Sequence, residues 1–184
     1  ELQIFQKWFP DQSNMDQDHP FCNNANCAIR KSLWEKYPYD ETLTGLEDFT
    51  SLPTLWCAIN QLTNLDISNN TSLVLLDCSA NSLTNLDITN NSYLTTLMCT
   101  YNQLTSLDIS NNTALNWLQF SNNYISSIDI SQHPSLTTLY CLGNQLSSLD
   151  VSNNPALNMF DCSDNSLTTL DVRNNNNTNF YWFS

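Results

Sequence analysis

The sequence predicts an α/β solenoid, and three observations carry that expectation. A 21-residue unit recurs six times without a gap, beginning at Leu52, Leu73, Leu94, Leu115, Leu136 and Leu157. Its template is LxxLxCxxNxLTxLDISNNxx, which the third copy, LTTLMCTYNQLTSLDISNNTA from Leu94 to Ala114, matches throughout. The apolar residues of that copy, Leu94, Leu97, Cys99, Leu104, Leu107 and Ile109, form one inward edge. Burying such side chains contributes roughly 1.5–3 kcal/mol each, whereas ordering the backbone costs about 1–2 kcal/mol per residue. A lone unit therefore cannot fold, and stacked units can.

Each element of the repeat follows from its own residues. The stretch around Leu97 and Cys99 predicts a short parallel strand of a concave sheet, with successive side chains pointing in and out. The later LTSLDIS stretch predicts an extended convex side, because 21 residues leave little room for a helix and Thr, Ser and Ile favour extended backbone. Asn60, Asn81, Asn102, Asn123, Asn144 and Asn165 form a column whose amides can satisfy the turn after each strand. A period in the twenties with leucines and an Asn at these offsets is the mark of a leucine-rich repeat.

Two further columns invite chemistry and read more simply as scaffold. Asp66, Asp87, Asp108, Asp129, Asp150 and Asp171 stack carboxylates at strand spacing. Asp followed by Ser-Asn-Asn suits Asx bonds within its own turn, and the template lacks the Gly-rich turns of calcium-binding β-helices; no metal site is expected. Paired asparagines such as Asn69-Asn70 and Asn111-Asn112 can supply left-handed backbone in a chain whose only glycines are Gly45 and Gly143.

Cysteine use divides in two. Cys57, Cys78, Cys99, Cys141 and Cys162 hold one inward position of five repeats, with Phe120 in the fourth. Neighbouring Cβ atoms would lie a strand spacing apart, beyond the roughly 3.5–4.5 Å a disulfide prefers, so this ladder is expected to be reduced. Cys22 and Cys27, in FCNNANC, could close a small disulfide loop; a zinc site would need two more ligands, and His19 is a poor supplement.

A Cys-bearing 21-residue unit with LDIS or LDVS on its far side resembles the cysteine-ladder leucine-rich repeats typified by internalin J, and the secreted bacterial repeat proteins of Bacteroidetes. The resemblance covers residues 43–184: LTGLEDFTSL, Leu43 to Leu52, is similar to their opening repeat, and LDVRNNNNTNF, Leu170 to Phe180, to their exit motif. It implies a secreted or cell-surface binding or adhesion module and no reaction. The organisation expected is a cap over 1–42, an opening repeat over 43–51, six repeats over 52–177 and a partial exit repeat over 178–184.

Within the cap, CAIRKSLWEKY places Ile29, Leu33 and Tyr37 at spacing four before Pro38, which predicts a short amphipathic helix lying over the first coil. Leu2 to Phe5 is apolar enough to need a partner surface, and Phe180, Tyr181, Trp182 and Phe183 would expose aromatics at the other end. Head-to-tail self-assembly through these two segments would be heterologous and build a filament; the competing expectation is a chain that continues beyond Ser184 into further repeats. If the protein is secreted, its targeting segment is expected to have been removed before Glu1.

Charge narrows the partners. Lys+Arg total 5 against Asp+Glu 18, a net charge of −13, and from Leu52 onward the only basic residue is Arg173. Such a surface repels phosphate backbones and anionic headgroups, so neither nucleic acid nor a membrane is an expected partner. No apolar run approaches a spanning helix.

Recognition is expected on the outward strand positions: Thr54/Trp56, Leu75/Asp77, Thr96/Met98, Trp117/Gln119, Thr138/Tyr140 and Met159/Asp161. The bulky residue changes sides in each repeat, as duplication of a 42-residue block would leave it. The candidate ligand-binding set is Trp56, Leu75, Met98, Trp117, Gln119, Tyr140 and Met159, with Tyr101 and Tyr124 in the adjoining turns, and the ligand class is protein or glycan. A continuous apolar stripe and aromatic anchors are what binding faces carry. No catalytic residue or cofactor is expected. The two histidines, His19 and His133, stand in no Ser-His-Asp or Cys-His arrangement, and Asp77 and Asp161 would lie roughly 19 Å apart, too far for a glycosidase pair. Asp161 and Asp164 are closer but stand on open surface. The Thr/Ser row Thr63, Thr84, Thr105, Ser126, Ser147 and Thr168 offers an alternative water-ordering, ice-binding face, imperfect because its neighbouring column is mixed.

Overall fold

The computed structural model describes residues 52–175. The expected 1–42 cap and its helix, the opening repeat, Cys22 and Cys27, and the Phe180–Phe183 end all lie outside the described residues. Within them each repeat contributes one three-residue strand: β1 (Thr54–Trp56), β2 (Leu75–Asp77), β3 (Thr96–Met98), β4 (Trp117–Gln119), β5 (Thr138–Tyr140) and β7 (Met159–Asp161). They form a six-stranded parallel sheet in the order β1-β2-β3-β4-β5-β7. The register offset is 21 residues throughout, as in Leu55↔Leu76 and Leu118↔Leu139. On the convex side the chain is extended, and only β6 (Leu149–Asp150) and β8 (Leu170–Asp171) are regular enough to pair, again in parallel. The described elements are all strands.

A single core runs along the solenoid axis. Leu73, Leu94, Leu115, Leu136 and Leu157 are fully buried at the start of their coils, and Ile67, Ile88, Ile109, Ile130 and Val151 close the convex side. The cysteine ladder lies inside with Phe120 in its gap, and its five thiols are unbridged. Burial pushes the Cys57 and Cys99 thiols up to about 12 and Cys162 to about 11, with Asp77 or Asp161 nearby adding to the effect. The thiols therefore stay protonated, and those of Cys78 and Cys99 point at the Met98 and Gln119 carbonyls, 3.6 and 3.5 Å away.

Two asparagine ladders stitch successive coils. The expected one is present. Asn102 Nδ2 donates to Cys78 O and Cys99 O at 3.0 and 3.1 Å, while its Oδ1 accepts from Leu83 N at 3.0 Å. The second ladder is formed by the latter residue of each Asn pair: Asn91 donates to Ile67 O and Asn70 O, Asn112 to Ile88 O and Asn91 O, and Asn154 to Ile130 O and His133 O, all within 3.1 Å. His133 takes its turn in this ladder, with Nε2 3.2 Å from Ile109 O.

This corrects the expectation that the Asn pairs supply left-handed backbone. Positive φ occurs instead at Ile59, Ala80, Tyr101, Asn122, Gly143 and Asp164, the position before each ladder asparagine. That turn must bring the asparagine amide under the strand it leaves, so every repeat adopts it whatever residue is there. At Gly143 (φ 67°) an added Cβ would sit 2.7 Å from Asn122 Oδ1.

Candidate functional site: the concave sheet face

Two outward columns run across the six strands. Register alone assembles Thr54, Leu75, Thr96, Trp117, Thr138 and Met159 into one, and Trp56, Asp77, Met98, Gln119, Tyr140 and Asp161 into the other. The alternation read from the sequence is therefore a spatial zigzag in which a bulky side chain has a small or polar neighbour on the next strand. Of the stripe, Trp56 is well exposed at 62%, whereas Leu75, Met98, Trp117, Tyr140 and Met159 are half-buried. Gln119 is half-buried beside them.

Side chains of the stripe touch one another at β4, β5 and β7. The Trp117 and Tyr140 rings meet edge to face, with centroids 6.4 Å apart and planes at 78°, an arrangement worth about 0.5–1.5 kcal/mol beyond area burial. The Tyr140 hydroxyl points at Met159 Sδ, 3.8 Å away. Thr138, paired in register with Trp117 and Met159, is completely buried, contrary to the open position expected for it. Its hydroxyl and the Trp117 indole N–H are both buried without a hydrogen-bond partner, a cost of about 1–3 kcal/mol each.

The two strand carboxylates have a structural duty. Asp77 Oδ1 accepts from Ser79 N at 3.0 Å, and Asp161 Oδ1 from Ser163 N at 3.0 Å and from the Ser163 hydroxyl. Tyr101 and Tyr124 lie past the carboxyl ends of their strands, not on the sheet, and are 63% and 53% exposed; Ile59 extends the same rim.

The convex Asp column does what turn chemistry asks. Asp66, Asp87, Asp108, Asp129 and Asp150 each accept from the backbone N–H two residues on, at 2.9–3.0 Å. Hydroxyl and amide donors hold the Asp66 and Asp87 carboxyls below the usual range, and amide then hydroxyl donors do so at Asp108 and Asp129. Among the described residues no group of three His, Cys, Asp or Glu is placed to hold a metal. The Thr/Ser row from Thr63 to Thr168 is exposed throughout. His133 is the one described histidine; it and the thiols face inward, away from the concave columns.

Comparison with known proteins agrees with this geometry. The functional domain of internalin J from Listeria monocytogenes, which includes a cysteine ladder, is 36% identical and superposes with a TM-score of 0.69 over 73% of this chain and 30% of its own. This chain is a leucine-rich repeat protein of the cysteine-ladder type. A leucine-rich repeat protein of Leptospira interrogans is 26% identical (TM-score 0.62, 65% of this chain, 33% of that one). The PEPR1–AtPEP1 structure is 25% identical (TM-score 0.53, 63% and 18%). The chain thus spans about a third or less of each of these. No family model matches the sequence, and no curated protein does. Among the described residues no helix is long and apolar enough to cross a membrane.

Proposed function

We propose that the chain is a protein-binding module of a secreted or cell-surface adhesion protein, and that it engages its partner with the concave sheet face. The observation that carries this reading is the Trp117–Tyr140–Met159 cluster. It sets two aromatic rings against each other on an outward face, where a solenoid has no folding need for them. Aromatic residues ringed by near-neutral contacts are the usual anchors of interfaces, and the adjoining Thr96 and Gln119, register neighbours of Trp117 and Tyr140, supply part of such a rim. The PEPR1–AtPEP1 assembly among the structural relatives supports a protein partner, and the likeness to internalin J supports the extracellular setting. With the thiols inward and protonated, the face offers binding and no nucleophile.

The test is selection of a displayed random peptide library on the wild-type chain, followed by rebinding to the Trp117→Ala/Tyr140→Ala variant. Concave-face binders should lose about 2 kcal/mol or more. Binders that hold equally to both proteins would show that recognition lies elsewhere; enrichment only by neutral oligosaccharides in a parallel array would replace the protein partner with a glycan.

A further inference from the structure

We propose that the concave face is a two-pocket receptor for an extended cationic peptide segment carrying Arg or Lys about six residues apart, an inference that rests on the concave-face reading above. Charge gives the first reason. Residues 52–175 contain nine aspartates, no glutamate or lysine, and one arginine, Arg173, a net charge of −8. The field draws cationic segments in and repels anionic ones.

Placement gives the second. Only two charged residues stand on the six strands of the sheet, and each is the register neighbour of an aromatic residue in the same column: Trp56↔Asp77 and Tyr140↔Asp161. Adjacent strands are about 4.8 Å apart, so a guanidinium or ammonium lying over the ring can also reach the carboxylate, combining cation–π attraction with a charge-assisted hydrogen bond. In both pairs the same device orients the carboxylate, an Oδ1 held by the Ser79 or Ser163 amide at 3.0 Å. The intervening residues of the column, Met98 and Gln119, are uncharged.

Spacing gives the third. The two pockets are four strands apart, roughly 19 Å, and an extended chain rises about 3.3 Å per residue, so a segment crossing the sheet covers the distance in about six residues. Six is even, so both cationic side chains project from the same face of the segment, and the alternate residues between them meet Met98 and Gln119. Engaging both pockets makes the second contact intramolecular, which is how two weak sites become one selective one.

The experiment uses labelled synthetic 13-residue peptides of Ala, Ser and Thr with two arginines placed four to eight positions apart, read by fluorescence anisotropy at low salt. Binding should be tightest at a separation of six and should fall at least ten-fold in Asp77→Asn/Asp161→Asn and in Trp56→Ala/Tyr140→Ala. It should be unchanged in the charge-matched control Asp87→Asn/Asp108→Asn, which lies on the convex side. The Asn replacements keep the oxygen that accepts the Ser amide, so the turns stay formed. Affinity independent of separation, equal loss in the convex control, or no binding by any of the peptides would overturn the inference. Library binders that need Trp117 and Tyr140 but tolerate Asp77→Asn/Asp161→Asn would also overturn it while leaving the concave face as the binding surface.

Discussion

Replacing one asparagine of the first ladder tests what joins the coils. Asn123 is 4% exposed, and its Oδ1 accepts from Leu104 N at 3.0 Å. Its Nδ2 donates to Cys99 O, Phe120 O and Ser121 O at 3.0, 2.9 and 3.3 Å. In Asn123→Ala the Cys99 and Phe120 carbonyls each keep a donor, from Asn102 and Asn144 respectively, but the Leu104 amide loses its acceptor inside the core. One orphaned buried N–H costs about 1–3 kcal/mol, and the weakened carbonyl bonds add about 1 kcal/mol, giving a loss of about 2–4 kcal/mol. Asn123→Asp separates donor from acceptor roles. It preserves the bond from Leu104 but turns a carboxylate toward carbonyl oxygens, so at pH 7 it should be at least as damaging as Asn123→Ala. Its folded pKa would be raised, so folded protein binds the extra proton and stability should recover as pH falls toward 5. Urea unfolding followed by far-UV circular dichroism is the assay, with a midpoint shift on the order of 1 M for Asn123→Ala. A loss below about 0.5 kcal/mol, the usual range for surface substitutions, would refute the view that the ladder amide is needed to satisfy Leu104 N; so would an Asp variant indifferent to pH.

Four other outcomes are expected. Ile59→Gly should stabilise by about 1 kcal/mol, because a β-branched residue at φ 57° that is 83% exposed gives up strain and little packing. Gly143→Ala should destabilise by more than about 1 kcal/mol, both read as shifts in melting temperature. His133→Asn should be neutral or stabilising by about 1 kcal/mol, since its neighbours Asn112 and Asn154 each make two inter-coil bonds where His133 makes one; a clear loss of stability would mean that the ring packs in a way the amide cannot. For the thiols, the folded state retains protons that the unfolded state releases from about pH 9, so stability should fall as pH rises from 9 towards 11–12, and Cys99→Ala should lose its share of that slope. A urea midpoint unchanged from pH 8 to 11 would contradict the burial of the ladder.

Strand positions, inward leucines, the cysteine ladder and the Asp turn caps were legible because each is a local pattern repeated in register, and repetition removes the ambiguity of a single short strand. Two columns were not. The left-handed position holds Ile59, Ala80 and Tyr101 as well as Asn122, Gly143 and Asp164, so intrinsic preference is visible in half the copies and overridden by the turn geometry in the rest. The Asn pairs looked like turn residues, yet Asn70, Asn91 and Asn112 are buried. The available signal was the spacing: each lies three residues after the inward Ile and three before the inward Leu, on the same edge. The exchange of Asn for His133, a residue that can also offer one donor and one acceptor, pointed the same way.

The concave face was legible as positions but not as packing. Alternation of bulky and small residues was expected as the trace of a duplicated 42-residue block, and in the fold it also packs the face. Trp117 and Met159 flank the buried Thr138 in register, and Tyr140 closes on both of the larger residues. The sheet face therefore holds the rings in place before any partner arrives, which lowers the entropy lost when one binds, since side chains already ordered need not be immobilised again. It also makes a truncation at Trp117 ambiguous when binding alone is measured, because Thr138 would be uncovered in the same step. Asp77 and Asp161 do not share that ambiguity. Their backbone duty survives replacement by Asn while their charge does not, so they separate recognition from scaffold more cleanly than the aromatic residues beside them.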